Sequence, residues 1–249
     1  MKKGITVILL VILFAASGLC GQFKNHQLRY PRFRDAYERY LPGLEELFAE
    51  RGIEYPPQAV TVRIFKDENV LEVWGRGRGQ KKYSFIKDYP IHSLSGNLGP
   101  KRGKGDQQVP EGFYHIYYYN PASLYHFSVR INYPNKSDRK LGYKENLEED
   151  VYIFGETVSV GSICLSDESM KELYVILVDV RDDGIEKIPV QIFPFKMTEQ
   201  NFAKFSKLYR DDKGLLKFWG NLQEGYDYFA VKGKLPLVWI DNRGRYRFK

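Results

Sequence analysis

The sequence predicts a β-rich α+β fold: mixed sheets of short strands with a few helices at the periphery. Three observations carry this. Short apolar runs with period-two alternation recur along the chain. Aromatic residues make up 15% of it (16 Phe, 19 Tyr and 3 Trp), and these residues suit a pleated, half-buried surface. There is no internal repeat and no low-complexity segment, so 249 residues fit one domain, or one domain with a small helical appendage. Charged residues at 28% and the AVILMFWYC set at 43% exclude a disordered chain and a membrane bundle. Two cysteines exclude a disulfide-stapled mini-domain and a Cys-only zinc cluster.

The chain opens with Lys2-Lys3 and an apolar run from Ile5 to Ala16, 12 residues long. That is too short to span a bilayer and the right size for the core of a secretory signal, with Ala16-Ser17-Gly18 supplying small residues for cleavage. Cys20 raises a rival, a lipid-anchored N-terminus giving membrane attachment, although Leu19 fits a lipoprotein signal poorly. Without Lys2 and Lys3 the formal charge falls from +7 to +5. A basic exported protein meets anionic wall polymer or lipid more readily than nucleic acid.

Phe33, Ala36, Tyr37, Tyr40, Leu41, Leu44, Leu47 and Phe48 lay one apolar stripe along a helix, with Gly52 as its stop signal. Pro42-Gly43 inside the stripe predicts a kink or two short helices. Strands follow at Val60 to Phe65 and Val70 to Trp74, joined by the Asp67-Glu68-Asn69 turn. Gly75 to Lys82 reads as a basic hairpin loop, since neither the dinucleotide nor the P-loop pattern is present. Further strands are expected at Tyr83 to Ile86, Ile91 to Leu94, Gly112 to Tyr118, Tyr125 to Ile131 and Val151 to Phe154, with a second basic loop at Gly99 to Gly105. Ser166 and Thr198 are expected N-caps: the first of a helix burying Met170, Leu173, Tyr174 and Leu177, the second of one carrying Phe202, Phe205 and Tyr209. Ile188 to Phe193 returns as a strand between them.

The segment Val151-Tyr-Ile-Phe-Gly-Glu-Thr-Val-Ser-Val-Gly-Ser-Ile-Cys-Leu-Ser-Asp167 resembles the signature of the L,D-transpeptidase catalytic-domain family, in its murein transpeptidase or endopeptidase-like branch. There the pattern runs Ile-His-Gly, two residues, Val-Ser-Val/Ile-Gly-Cys, four residues, Asp. Other stretches match in order: Ser95 to Lys101, Gly105 to Tyr114, Asn132 to Asn135, Phe193 to Met197, Phe218-Trp219 and Gly225 to Phe229. The resemblance implies a mixed-sheet L,D-transpeptidase-like fold and acyl transfer on peptidoglycan stem peptides without a cofactor. It implies a cysteine thiolate attacking at diaminopimelate, a histidine taking the proton, and backbone N–H groups holding the oxyanion. Together with the residue patterns above it gives the partition: signal peptide over 1–21, N-terminal helical segment over 22–57, L,D-transpeptidase-like domain over 58–197, and a helical extension with terminal strands over 198–249.

Carried over residue by residue, the histidine position is Phe154, the nucleophile position is Ser162, and Gly161 precedes it. Phe accepts no proton, and a serine without a base is a weak nucleophile. Cys164 is a candidate displaced thiol: in an extended chain it shares a face with Ser162 about 6.5–7 Å away. The alternative is a small buried apolar residue. His126, ahead of the Asn132 to Asn135 match, is the best spare base among His26, His92, His115 and His126. No His-Glu-x-x-His spacing points to a metal, and Glu148-Glu149-Asp150 reads as a solvated loop. Two functions therefore stand: an enzyme transferring or hydrolysing stem-peptide acyl groups, and a catalytically silent peptidoglycan-binding or regulatory relative.

Overall fold

In the computed structural model, residues 21–124, 126–143, 147–155 and 160–249 are described, with the side chain of His126 excepted. The expected leader up to Cys20, Tyr125, and the motif residues Glu156 to Ser159 lie outside the described residues. Among the described residues no helix is long and apolar enough to cross a membrane.

Eight strands close into a barrel: β1 (Ala59–Phe65), β2 (Val70–Arg76), β3 (Ser84–Leu94), β4 (Gly112–Ser123), β5 (His126–Ile131), β6 (Val151–Gly155), β7 (Ile163–Leu165) and β8 (Ile188–Phe193), in the spatial order β1-β2-β3-β7-β6-β5-β4-β8. β1 with β8 and β6 with β7 are parallel, and the other neighbours are antiparallel. The strand-rich α+β class expected from the sequence is the one observed. The two strands expected over 83–94 are one, because its first part pairs with β2 and its last residues pair with β7. Strand β7 is three residues long, below the length at which alternation can be read from sequence.

The helices are α1 (Gln22–Gln27), α2 (Pro31–Ala49), α3 (Lys136–Leu141), α4 (Asp167–Asp182), α5 (Glu199–Leu208) and α6 (Lys213–Lys232). Helix α2 runs as one 19-residue element through Pro42, not as two. Pro42 is exposed, so the backbone carbonyl that its missing N–H leaves unpaired faces water. Ser166 and Thr198 cap α4 and α5 as predicted, accepting from Ser169 N and Asn201 N. Helix α4 buries more than its predicted stripe: Leu173 to Val178 are all fully buried, with β5 and β6 on one side and α1 and α2 on the other. Its own periodicity cannot reveal that second cover.

A second core lies outside the barrel. Phe65, Phe193 and Phe195 meet Phe205 of α5, Phe218, Trp219 and Leu222 of α6, and Tyr246 of a two-stranded hairpin, β9 (Val238–Ile240) with β10 (Tyr246–Phe248). Gly225 permits this packing, since a Cβ there would sit 2.5 Å from Phe113 Cζ and Phe248 Cε1. Arg63, on the outward face of β1, is buried under α6 with its guanidinium 4.5 Å from the Phe229 ring centre and 4.9 Å from that of Tyr226.

Candidate active site around Gly161 and Ser162

The motif folds as β6, a connection and β7, laid side by side in parallel. Phe154 on β6 is therefore in register with Cys164 on β7 and, across its other edge, with Ser128 on β5. Ser162 is the last residue before β7. It is 6% exposed, and its Oγ accepts the Tyr152 backbone N–H at 3.1 Å. Gly161 has φ +76°, in the left-handed region that favours glycine, which turns the chain into β7. Its N–H donates to Ser95 Oγ at 2.6 Å, and Ser95 in turn donates to Gln107 O at 2.7 Å. An N–H group beside the nucleophile position is thus already engaged by a side chain of the same fold.

Cys164 lies within the barrel wall between β3 and β6 and is fully buried. His26 and His92 are exposed on α1 and β3. His115, on β4, titrates below the usual histidine range because it is half-buried and near Lys187. His126 opens β5, two residues before the Ser128 that pairs with Phe154.

In the second basic loop Lys101 is fully buried, with its ammonium 2.6 Å from both Asp106 Oδ1 and Glu149 Oε2 and over the Tyr133 ring. The carboxylate of Asp106 also accepts backbone N–H groups of Arg102, Gly103 and Gln108. Burial alone would raise its pKa, but the Lys101 ammonium and these N–H groups outweigh it and hold Asp106 below the usual carboxylate range. In the acidic run Glu149 holds Lys101, whereas Asp150 with Arg130 and Glu148 with Arg139 form ion pairs whose carboxylates are exposed, as a solvated loop implies. A Cβ on Gly161 would lie 3.8 Å from Lys101 Nζ and 3.6 Å from Gln108 O, so this loop forms the wall beside the nucleophile position. The other basic loop is elsewhere, with Arg78 paired to Asp183 just past the end of α4.

Several matched stretches prove to be the frame of this wall. Glu111, fully buried, accepts from Lys66 Nζ at 3.0 Å, Gly99 N at 2.7 Å and Trp219 Nε1 at 2.9 Å, tying β1, the 98–108 loop and α6 together. Asn132 Oδ1 accepts the His115 N–H. Asn135 caps α3 and donates to Phe113 O and Tyr246 Oη. Below Tyr114, the carboxyl of Asp138 is pushed up to about 7 by burial, against the hydrogen bonds from Asn135 N and Tyr114 Oη. Sequence reasoning placed Lys101 and Glu111 in matched stretches without giving them a role, and it missed Asp138. The only local signal was an acidic residue five positions after Lys101 and another at Glu111, ordinary surface spacings until folding buries them. Among the described residues no group of three His, Cys, Asp or Glu side chains could hold a metal.

Along 189 residues the chain is 34% identical to "Putative L,D-transpeptidase YafK" of Escherichia coli (strain K12), a match covering 75% of this chain and 72% of that one. No protein-family model matches. Among solved structures the chain is similar to the helical cell shape determining protein Pgp2 from Campylobacter jejuni, at 17% identity and a TM-score of 0.43 over 74% of this chain and 73% of that one. It is also similar to Bd1075 of Bdellovibrio bacteriovorus, at 20% identity and a TM-score of 0.39 over 61% of this chain and 57% of that one. For L,D-transpeptidase 1 of Mycobacterium tuberculosis the values are 18% and 0.32, over 54% and 62%.

Proposed function

The chain belongs to the L,D-transpeptidase family, and we propose that it is an exported, wall-associated member that binds peptidoglycan stem peptides without catalysing acyl transfer at diaminopimelate. The observation that carries this is that Phe154 and Ser162 stand at the base and nucleophile positions of the motif. The group that should take a proton is a benzyl ring, and the group that should attack is a hydroxyl already accepting the Tyr152 N–H. Two neighbours support the same reading. The thiol of Cys164 is fully buried, out of reach of a peptide in a surface cleft, and the Gly161 N–H is engaged by Ser95 rather than available to an oxyanion. Lys101 is no substitute base, because it directs its N–H donors at two carboxylates. A basic exported chain and the family's wall chemistry support the envelope as its location.

The test pairs binding with turnover. Purified protein is expected to sediment with sacculi at low salt and less at high salt, where exposed charges are screened beyond about 8–10 Å. It is expected to show no product with a diaminopimelate tetrapeptide and a D-amino-acid acceptor by mass spectrometry. Robust turnover by the unmodified protein overturns the silent reading. If Cys164→Ala then abolished that turnover while Ser162→Ala did not, the displaced thiol would be the nucleophile.

A further inference from the structure

The β9–β10 hairpin has two outer edges, and the fold treats them differently. In its antiparallel register Leu237 and Lys249 exchange both backbone hydrogen bonds, and Asp241 N donates to Arg245 O. Strict alternation then turns the N–H and C=O groups of Val238, Ile240 and Tyr246 outward. On β10 one side chain of α6 meets the outward pair of Tyr246: Asn221 Oδ1 accepts its N–H at 2.8 Å, and Asn221 Nδ2 donates to its C=O at 2.9 Å. On β9 the outward groups of Val238 and Ile240 have no partner among the described residues. Nothing blunts that edge. Its Val-Trp-Ile sequence holds strong strand formers with no charge and no proline, and Leu237 and Trp239 are exposed along it. Beside it lies a cavity of about 460 Å³, lined by residues 235–238 and 240, by Phe113 and His115 of β4 and by Pro189 of β8. From β10 only Tyr246 reaches this cavity, which places it on the β9 side of the hairpin. Among the described residues no Asp or Glu lines it. Its charged group is Lys136, exposed at the start of α3 and without an ion-pair partner among the described residues, and Lys187 acts on His115 nearby.

We propose that β9 accepts an extended segment of a partner protein as the third strand of this hairpin, with apolar side chains of the segment on Phe113 and Pro189 and a carboxylate of it at Lys136. Strand addition draws its affinity from exposed main-chain groups and its selectivity from what the alternate side chains meet. Here the open edge supplies the first and the cavity floor the second. Three residues of β9 span roughly 10 Å, enough to pair with a segment of three or four residues. Two lysines and no facing acid favour a segment that carries a carboxylate over a basic one. The same charges disfavour a second copy of this chain, because a two-fold pair of β9 edges would set each basic patch against its own image. The site shares no residue with the Ser95, Lys101 and Gln108 wall beside Ser162, and it does not depend on the stem-peptide reading.

An array of hexapeptides varied over Val, Ile, Leu, Thr, Lys and Glu, probed with the full chain, tests this. Retained peptides are expected to alternate apolar residues and to carry Glu at one end. A retained peptide is then resynthesised with a single N-methyl group moved along its backbone. Its affinity is expected to fall about tenfold at alternate positions and little at those between, since only every second amide faces β9. Val238→Pro removes an outward N–H and none of the bonds to β10, and is expected to weaken binding about tenfold. Lys136→Glu, at an exposed position, is expected to weaken Glu-bearing peptides about tenfold and to favour their Lys counterparts. No retained peptide, a flat N-methyl profile, or indifference to both variants overturns the inference. So does a dimer in sedimentation velocity that Val238→Pro dissolves, since a second copy would then hold the edge. Sacculus sedimentation is expected to be the same for Val238→Pro and the unaltered protein, and release of the variant alone would give the edge to the wall and overturn the partner assignment. Failure of the unaltered protein to sediment removes the wall-binding reading and leaves the strand-addition site standing.

Discussion

Replacing Glu111 by Gln probes the joint on which the wall of the site hangs. Glu111 and Lys66 are both almost wholly inaccessible, with side-chain exposures of 0% and 4%, so solvent screening gives little relief. Gln keeps one carbonyl oxygen, enough for the Gly99 N–H or the Trp219 Nε1–H but not for both, and it leaves the Lys66 ammonium uncompensated. Breaking a buried pair from one side costs about 3–5 kcal/mol. The Lys66 ammonium retains the Gly99 and Val109 carbonyls at 2.8 and 3.0 Å, which places the expectation near the lower end, about 3 kcal/mol. For a chain of this size that corresponds to a Tm lower by about 6–12 °C. Urea unfolding followed by circular dichroism gives the free energy, and adding Lys66→Met to Glu111→Gln should recover part of the loss by removing the orphaned charge. A loss under about 1 kcal/mol, or a double variant whose cost is the plain sum of the singles, would refute the coupling.

Phe154→His with Ser162→Cys is expected to restore measurable acyl transfer where neither single change does, because a thiolate and its base are each ineffective without the other. Adding Ser95→Ala, which releases the Gly161 N–H, should raise that turnover further, by about tenfold, and no change would remove the role given to this N–H. Asp138, with its folded pKa raised to about 7 from 3.8, holds a proton that the unfolded chain has released between those values, so its contribution to stability falls as pH rises through that window. Asp138→Asn should flatten that decline, by on the order of 2–4 kcal/mol between pH 4 and 7.5 in urea unfolding, and parallel curves for the two proteins would contradict the assignment. Gly225→Ala is expected to cost about 1–3 kcal/mol by pushing α6 off Phe113 and Phe248, read as a shift in urea midpoint.

What the sequence could say about this site was confined to its motif line. Phe154 and Ser162 were legible as departures because a motif fixes positions along the chain. The engagement of the Gly161 N–H by Ser95 was not, since the partners are 66 residues apart. Lys101 illustrates the limit from the other side. Its neighbours Gly99, Pro100, Arg102, Gly103 and Lys104 are those of a solvated loop, and burial came from Asp106 curling back and Glu149 arriving across the fold.

The fold divides along the same line. Alternation and capping, which are set within a few residues, determined by themselves the short-range features: the strands β1, β2, β4, β5 and β6, the return strand β8, and the starts of α4 and α5 at Ser166 and Thr198. Only the tertiary structure decided that Tyr83 to Leu94 is one strand shared by β2 and β7, and that Ile163 to Leu165 is a strand at all. It alone decided that α4 is covered on both sides, and that Glu111, Asp138 and Lys101 are interior groups. The physical reason is range. Periodicity and caps are satisfied by near neighbours, whereas strand pairing, burial of charge and the assembly of a cavity depend on partners that the sequence places tens of residues away.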